Sequence, residues 1–170
     1  MIALKRLVVF IVVALSGAAQ AGELLLDING RSWHGSKPQA YPLYDWNENN
    51  HGVGLQFRTD VFDGARYRFA AGTMRDSLGV DGEYVGTGYE WVLDKGPMRY
   101  SAGGALMLMN RTLDFGQKKT LYVFPLPVAS VEYRPWGLGL NAAFVPGFDL
   151  GKKEMPTTLF VSLSLKLASF

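Results

Sequence analysis

The chain has no cysteine, only two histidines among 170 residues, and a formal net charge of just +2. Each shortage removes a class. Without cysteine there is no disulfide scaffold and no Cys-based zinc module. So small a net charge argues against a nucleic-acid binder held by a basic surface. Disordered chains combine low hydrophobicity with high net charge, whereas this one is 48% apolar. Heptads and Gly-X-Y repeats are missing, which removes coiled coils and collagen. There is no H-E-x-x-H, no glycine-rich phosphate loop and no G-x-S-x-G elbow, so neither a metal nor a cofactor is expected. Past residue 21, no apolar run is long enough for a transmembrane helix.

The opening segment reads as an export signal, residues 1–21. Lys5 and Arg6 form a basic start, Leu7 to Leu15 an apolar stretch, and Ala19-Gln20-Ala21 a small-residue cleavage site. Cleavage before Gly22 removes two basic and no acidic residues, which takes the +2 to zero. One domain, 22–170, remains.

That domain is rich in glycine (20 in the whole chain) and aromatics (13%), which suits an all-β protein. Alternation predicts eight strands: 23–33, 50–59, 65–74, 82–93, 98–110, 120–133, 136–146 and 157–169. In the last, Leu159, Val161, Leu163, Leu165 and Leu167 share one face, and Ser162, Ser164 and Lys166 the other. In 82–93, Val85, Thr87, Tyr89, Trp91 and Leu93 oppose Gly86, Gly88 and Glu90. A bulky apolar face against a small or polar one fits a barrel coated by lipid, with the polar residues inside. A sandwich also alternates, but it needs its bulky faces to fill one shared core. Trp33, Tyr89, Trp91, Tyr100, Tyr133 and Trp136 suit an interfacial girdle. The connections after strands 2, 4 and 6 are tight, and most of the others are longer. In outer-membrane barrels the tight ones are periplasmic. The expectation is an eight-stranded antiparallel transmembrane β-barrel in the outer membrane, monomeric and with no nucleic-acid partner.

Polar residues able to do chemistry gather at the rim opposite the tight turns. His34 follows strand 1, and Asp76 and Ser77 follow strand 3. A histidine beside a serine can take its proton, and an aspartate can orient the imidazole. The same residue types also make ordinary turns through local side-chain bonds. Lys37, Arg75, Arg111, Lys118, Lys119, Lys152 and Lys153 lie in this region too and suit either phosphate binding or a solvated surface.

Several blocks, taken in order, resemble the PagP family of outer-membrane lipid A palmitoyltransferases. They are Ser32-Trp33-His34, Asp76-Ser77, Gly86-Thr87-Gly88-Tyr89-Glu90, Phe124-Pro125-Leu126-Pro127-Val128-Ala129-Ser130-Val131, Pro135, and Phe144-Val145-Pro146-Gly147. The resemblance implies transfer of a palmitoyl chain from a phospholipid donor to a lipid A acceptor. It implies His34, Asp76 and Ser77 as catalytic residues and an acyl pocket inside the barrel, floored at Gly88 with Gly86 beside it. A missing side chain on an inward face leaves room for methylenes, which agrees. Proline cannot donate to a β-ladder, so Pro125, Pro127, Pro135 and Pro146 are expected to open gaps around strands 6 and 7, or else to mark strand ends or bulges, and for Pro135 a turn is sufficient. The resemblance implies lateral lipid access there, at Pro127 and Pro135. The family carries an amphipathic helix before its first strand. Here only Gly22 to Arg31 separate the expected cleavage site from the Ser32-Trp33-His34 block, so that helix is expected to be missing. Two other readings stay open: a non-enzymatic barrel serving adhesion or membrane stability, and a lipid A deacylase or phospholipase.

Overall fold

The computed structural model describes residues 21–36, 45–112, 118–149 and 154–170; the export-signal assignment for 1–20 lies outside them. The described chain is all β. Its strands are β1 (Gly22–His34), β2 (Asn49–Thr59), β3 (Ala65–Arg75), β4 (Asp81–Lys95), β5 (Met98–Arg111), β6 (Thr120–Tyr133), β7 (Leu138–Val145), β8 (Phe148–Asp149), β9 (Glu154–Met155) and β10 (Thr158–Ser169). All pairing is antiparallel. Eight of these strands close into a barrel in the order β1-β10-β7-β6-β5-β4-β3-β2. The short pair β8–β9 is a separate hairpin in the connection between β7 and β10, and the alternation of the sequence did not reveal it. Closure matters because a barrel has no free edge, so each strand can satisfy its backbone groups on a neighbour without water.

The two faces divide as the alternation requires. Tyr89, Trp91, Leu93, Leu106, Leu138, Leu140, Leu163 and Leu165 are exposed on the outside, while Gly88, Glu90, Ser130, Asn141, Ser162 and Ser164 are buried within. Large apolar side chains facing out and polar ones facing in are the inverse of a soluble domain, and they mark a barrel that spans a bilayer. The tight turns share one end with both chain ends, where Phe170 N–H donates to Gly22 O at 2.9 Å. Phe62-Asp63-Gly64-Ala65 is a two-residue hairpin turn. Asp63 and Gly64 both take positive φ, as the Asp-Gly pair allows. Tyr67, Tyr89 and Trp91 pack edge to face near that end, as do Tyr133 and Trp136. The aromatic girdle is therefore concentrated on the short-turn side, with Trp33 alone of the expected set at the other.

The interior changes character along the axis. Toward the short turns it is packed with paired charge. The Arg58 guanidinium donates to Glu132 at 3.2 Å, to Asn141 at 2.9 Å and to Gln56 Oε1. Arg66 and Arg68 both donate to Glu90, at 3.1 and 2.6 Å. Toward the long loops the β5–β6 wall is apolar: Phe124, Leu126 and Val128 are buried against Ala105, Met107 and Met109.

The wall is not uniformly paired. The β5–β6 ladder runs unbroken from Met98↔Tyr133 to Arg111↔Thr120, straight past Pro125 and Pro127. The β6–β7 ladder stops at Val128↔Ala143, so Pro127 is the first unpaired position on that side. The missing donors thus fall on one seam, and a gap opens there as expected. Around Pro135 the gap is not found and the turn reading holds. Pro135 sits within a tight turn, where Trp136 N–H donates to Tyr133 O and Gly137 N–H to Arg134 O. The adjoining pairs Tyr133↔Leu138 and Glu132↔Gly139 are intact, because a proline in a turn removes no ladder bond.

Candidate functional site

The outer end of β1 carries the first site residue, and a bulge aims it. Asp27 and Asn29 point inward, so plain alternation would send Arg31 and Trp33 inward and His34 to lipid. Gly30 interrupts this. Asn29 faces Ser162 and Arg31 faces Val161, which leaves Gly30 without a partner on β10. After the bulge, Ser32 is buried, Trp33 faces out and His34 turns toward the barrel mouth. One extra residue reverses every later side chain.

The second residue lies on the β3–β4 corner. Ser77 Oγ is 2.9 Å from His34 Nε2. In the tautomer with its proton on Nδ1, the imidazole accepts the Ser77 hydroxyl at Nε2. His34 Nδ1 is buried and has no hydrogen-bond partner among the described residues. The expected contact between Asp76 and His34 is therefore not made. Asp76 Oδ1 accepts the amides of Leu78 and Val80, both at 2.9 Å, and Oδ2 accepts the amide of Thr112 at 3.3 Å. Adjacent residues diverge, so Ser77 reaches the imidazole while Asp76 caps the turn that holds it. Gly79, at φ +75°, closes that turn with an N–H donated to Asp76 O.

Residues that the sequence reading passed over hold both partners. The Trp46 ring stacks on His34 at 5.4 Å between centroids. Asn47 donates its amide N–H to Ser77 O and its carboxamide to Asp76 O, at 2.8 and 2.9 Å. Asn50 donates its carboxamide to Arg75 O at 2.8 Å. Three successive carbonyls ahead of the turn are thus tied to the segment that enters β2. Asn29 adds a bond to Thr73 O at 2.8 Å. Loop asparagines carry no periodic signal; the run Asn47-Glu48-Asn49-Asn50 was the visible hint.

An interior cavity of about 110 Å³ lies below the dyad, and Ser77 lines it. Its β1, β2 and β10 side is polar, with Asp27, Ser32, Asn50 and Ser162; its β5–β6 side is apolar, with Met107, Met109, Leu126 and Val128. Gly86 and Gly88 alternate inward with buried Tyr84 and Glu90, but the room beside them is taken. A Cβ at Gly86 would collide with Met107 Sδ, and one at Gly88 would stand 2.9 Å from Arg68 Cγ. The expectation of open space at the two glycines is corrected accordingly. Met107 and Arg68 border the cavity in their place.

Among the basic candidates, Lys37, Lys152 and Lys153 fall outside the described residues. Arg75 is spent on Gly79 O at 2.8 Å, and Lys119 lies 3.7 Å from Glu83. Arg111 faces inward, on the same side of β5 as Met107 and Met109.

The chain matches no protein-family model and no curated protein. It is similar in fold to Neisserial surface protein A, at 10% identity and a TM-score of 0.52, over 86% of this chain and 97% of that one. Ail, the attachment invasion locus protein of Yersinia pestis, aligns at 12% identity and 0.44, over 86% and 97% of the two chains. The N-terminal β-barrel domain of Pseudomonas aeruginosa OprF aligns at 14% identity and 0.44, over 86% and 100%. Identities this low speak to fold alone. With its closed wall and lipid-facing apolar coat, the chain is a small eight-stranded outer-membrane β-barrel.

Proposed function

We propose that the barrel is an acyltransferase that moves a palmitoyl chain from a phospholipid to a hydroxyl of lipid A in the outer leaflet, as its resemblance to the PagP family implies. The observation that carries this reading is the His34–Ser77 pair, 2.9 Å apart, at the mouth of a cavity that Ser77 lines. A serine hydroxyl bonded to an imidazole is an activated nucleophile. Ser77 Oγ attacks the donor ester carbonyl as its proton passes to His34 Nε2. The bond to the glycerol oxygen breaks, His34 returns the proton to that oxygen, and the lysophospholipid leaves. A lipid A hydroxyl then attacks the acyl-serine, giving its proton to His34, which passes it to Ser77 Oγ as the new ester forms. Asp76 fixes the corner that presents Ser77. The unpaired seam beyond Pro127 is the route for lipid chains, and water must be kept from the acyl-serine because hydrolysis competes.

Mass spectrometry of lipid A from cells producing the chain tests this. Wild type should add one palmitoyl mass, and Ser77→Ala or His34→Ala barrels, shown folded by their heat-modifiable gel migration, should not. Full acylation by either variant would refute the assignment. Loss of an acyl chain would indicate the deacylase instead.

A second reading, a barrel without catalysis, is favoured by one observation: the Asp76 carboxylate is committed to backbone amides rather than to His34. It expects lipid A to be unchanged.

A further inference from the structure

We infer that Arg111 is the anion-binding residue of the His34–Ser77 site, and that it recognises a phosphate group of a lipid substrate. The inference rests on the acyl-transfer reading for its role and on the following geometry for its existence. Arg111 ends β5 on the inward side, and its guanidinium carbon lies 6.0 Å above the ring of buried Phe124. The neighbouring residue, Thr112, donates its amide to Asp76 Oδ2 at 3.3 Å, which places Arg111 beside the Asp76–Ser77 corner. Its charge is felt at both Asp76 and His34. Yet its guanidinium makes no ion pair with any described residue, and its Nε is buried without a hydrogen-bond partner.

This sets Arg111 apart from the other interior arginines. Arg58, Arg66 and Arg68 each hold a glutamate. The buried Nε has no partner, the guanidinium has no ion pair among the described residues, and the Asp76 carboxylate that acts on it is engaged by backbone amides, so the arrangement leaves the fork free for an anion from outside the chain. What reaches the mouth of a membrane barrel through its wall is lipid, and the anionic group of outer-membrane lipids is phosphate. The planar fork of arginine meets two phosphate oxygens at once. A phosphate held there would bring the attached lipid beside Ser77. The phosphate belongs either to the diester of the donor or to the monoester of the acceptor.

Two measurements on the folded, full barrel in neutral maltoside micelles decide the matter. In the first, the Nε–Hε NMR signal of Arg111 is followed during titration with dihexanoylphosphatidylglycerol, with glucosamine 1-phosphate and with uncharged dihexanoylglycerol. A saturable shift with a phosphate probe and none with the neutral one supports the site. The stronger response assigns it, the diester to the donor and the monoester to the acceptor. No shift, or an equal shift with the neutral probe, overturns it. In the second, Arg111→Lys and Arg111→Met are compared with wild type in acyl transfer. KM for the phosphorylated partner should rise about tenfold or more with kcat little changed, and Lys should rescue only in part because it keeps the charge but not the fork. An unchanged KM in Arg111→Met would overturn the proposal. Should wild type bind the phosphate probes but transfer no acyl chain, the acyl-transfer reading fails and the anion site stands.

Discussion

Gly30 decides where His34 points. It is the one residue between Asn29 and Arg31 that β10 leaves unpaired, and the reversal it imposes carries through Ser32 to His34. A Cβ at Gly30 would lie 2.7 Å from Val161 O, so the bulge accepts only glycine without movement. Replacing Gly30 with a β-branched residue, Gly30→Val, flattens the bulge by pressing position 30 into the ladder, which restores plain alternation beyond Asn29, sends Trp33 inward and turns His34 to lipid. The expected outcome is a barrel that still folds and shows no acyl transfer, checked by heat-modifiable migration and lipid A mass spectrometry. A Gly30→Val barrel that stays fully active would break the link between the bulge and the dyad.

Asn47 positions Ser77 without touching its hydroxyl. Its amide N–H and its carboxamide donate to the carbonyls of Ser77 and Asp76, and its side chain also exchanges bonds with the Asn49 backbone. Asn47→Ala removes the side-chain bonds to Asp76 O and to the Asn49 backbone and keeps the amide bond to Ser77 O, so the corner relaxes while the barrel, built from ladders elsewhere, persists. A displacement of this kind lowers the rate by on the order of 10- to 100-fold. Reaction of Ser77 with a fluorophosphonate measures it directly, and Asn47→Asp, which keeps the shape but not the donor, should be as slow as the alanine variant.

The barrel was legible because lipid and interior impose opposite chemistry on alternate residues. β6 was expected at 120–133 and lies at Thr120–Tyr133, and β5 differs from its expected 98–110 by one residue. The dyad partners could be named, but their geometry could not be read. Nothing in His34 says that a bulge four residues earlier turns it inward, although an isolated glycine in a strand is the usual trace of one. Nothing in Asp76-Ser77 says which of the two side chains caps the turn. Gly86 and Gly88 have their inward face, but the filling of that space depends on Met107 and Arg68 from neighbouring strands, which no single-strand pattern contains.

The charged interior should be a source of stability that fails when only half of a pair is removed. Arg58 and Glu132 side chains are 0% and 1% exposed and lie 3.2 Å apart. Glu132→Ala leaves Arg58 with amide partners alone, and breaking a buried pair in this way costs about 3–5 kcal/mol. Replacing both, as Arg58→Met with Glu132→Leu, should recover most of the loss, because it removes the stranded charge as well. Urea unfolding of the barrel in vesicles measures all three variants, and a double variant as unstable as Glu132→Ala would show that the charge is not the cause.

The seam between β6 and β7 can be closed with a covalent bond. Because the chain has no cysteine, an introduced pair has no competitor. Pro127 and Phe144 are the next positions beyond the last ladder pair, Val128↔Ala143. Both side chains face lipid, so cysteines there leave the dyad and the cavity lining unaltered. Oxidation of the Pro127→Cys/Phe144→Cys barrel ties the two strands where proline had removed the donor. If lipid chains enter through this seam, the oxidised barrel should transfer no palmitate, and a reductant should restore transfer. Fluorophosphonate small enough to enter from the water should label Ser77 in both states, which separates a closed route from a damaged site. Equal transfer with the bond intact would place lipid entry on another part of the wall.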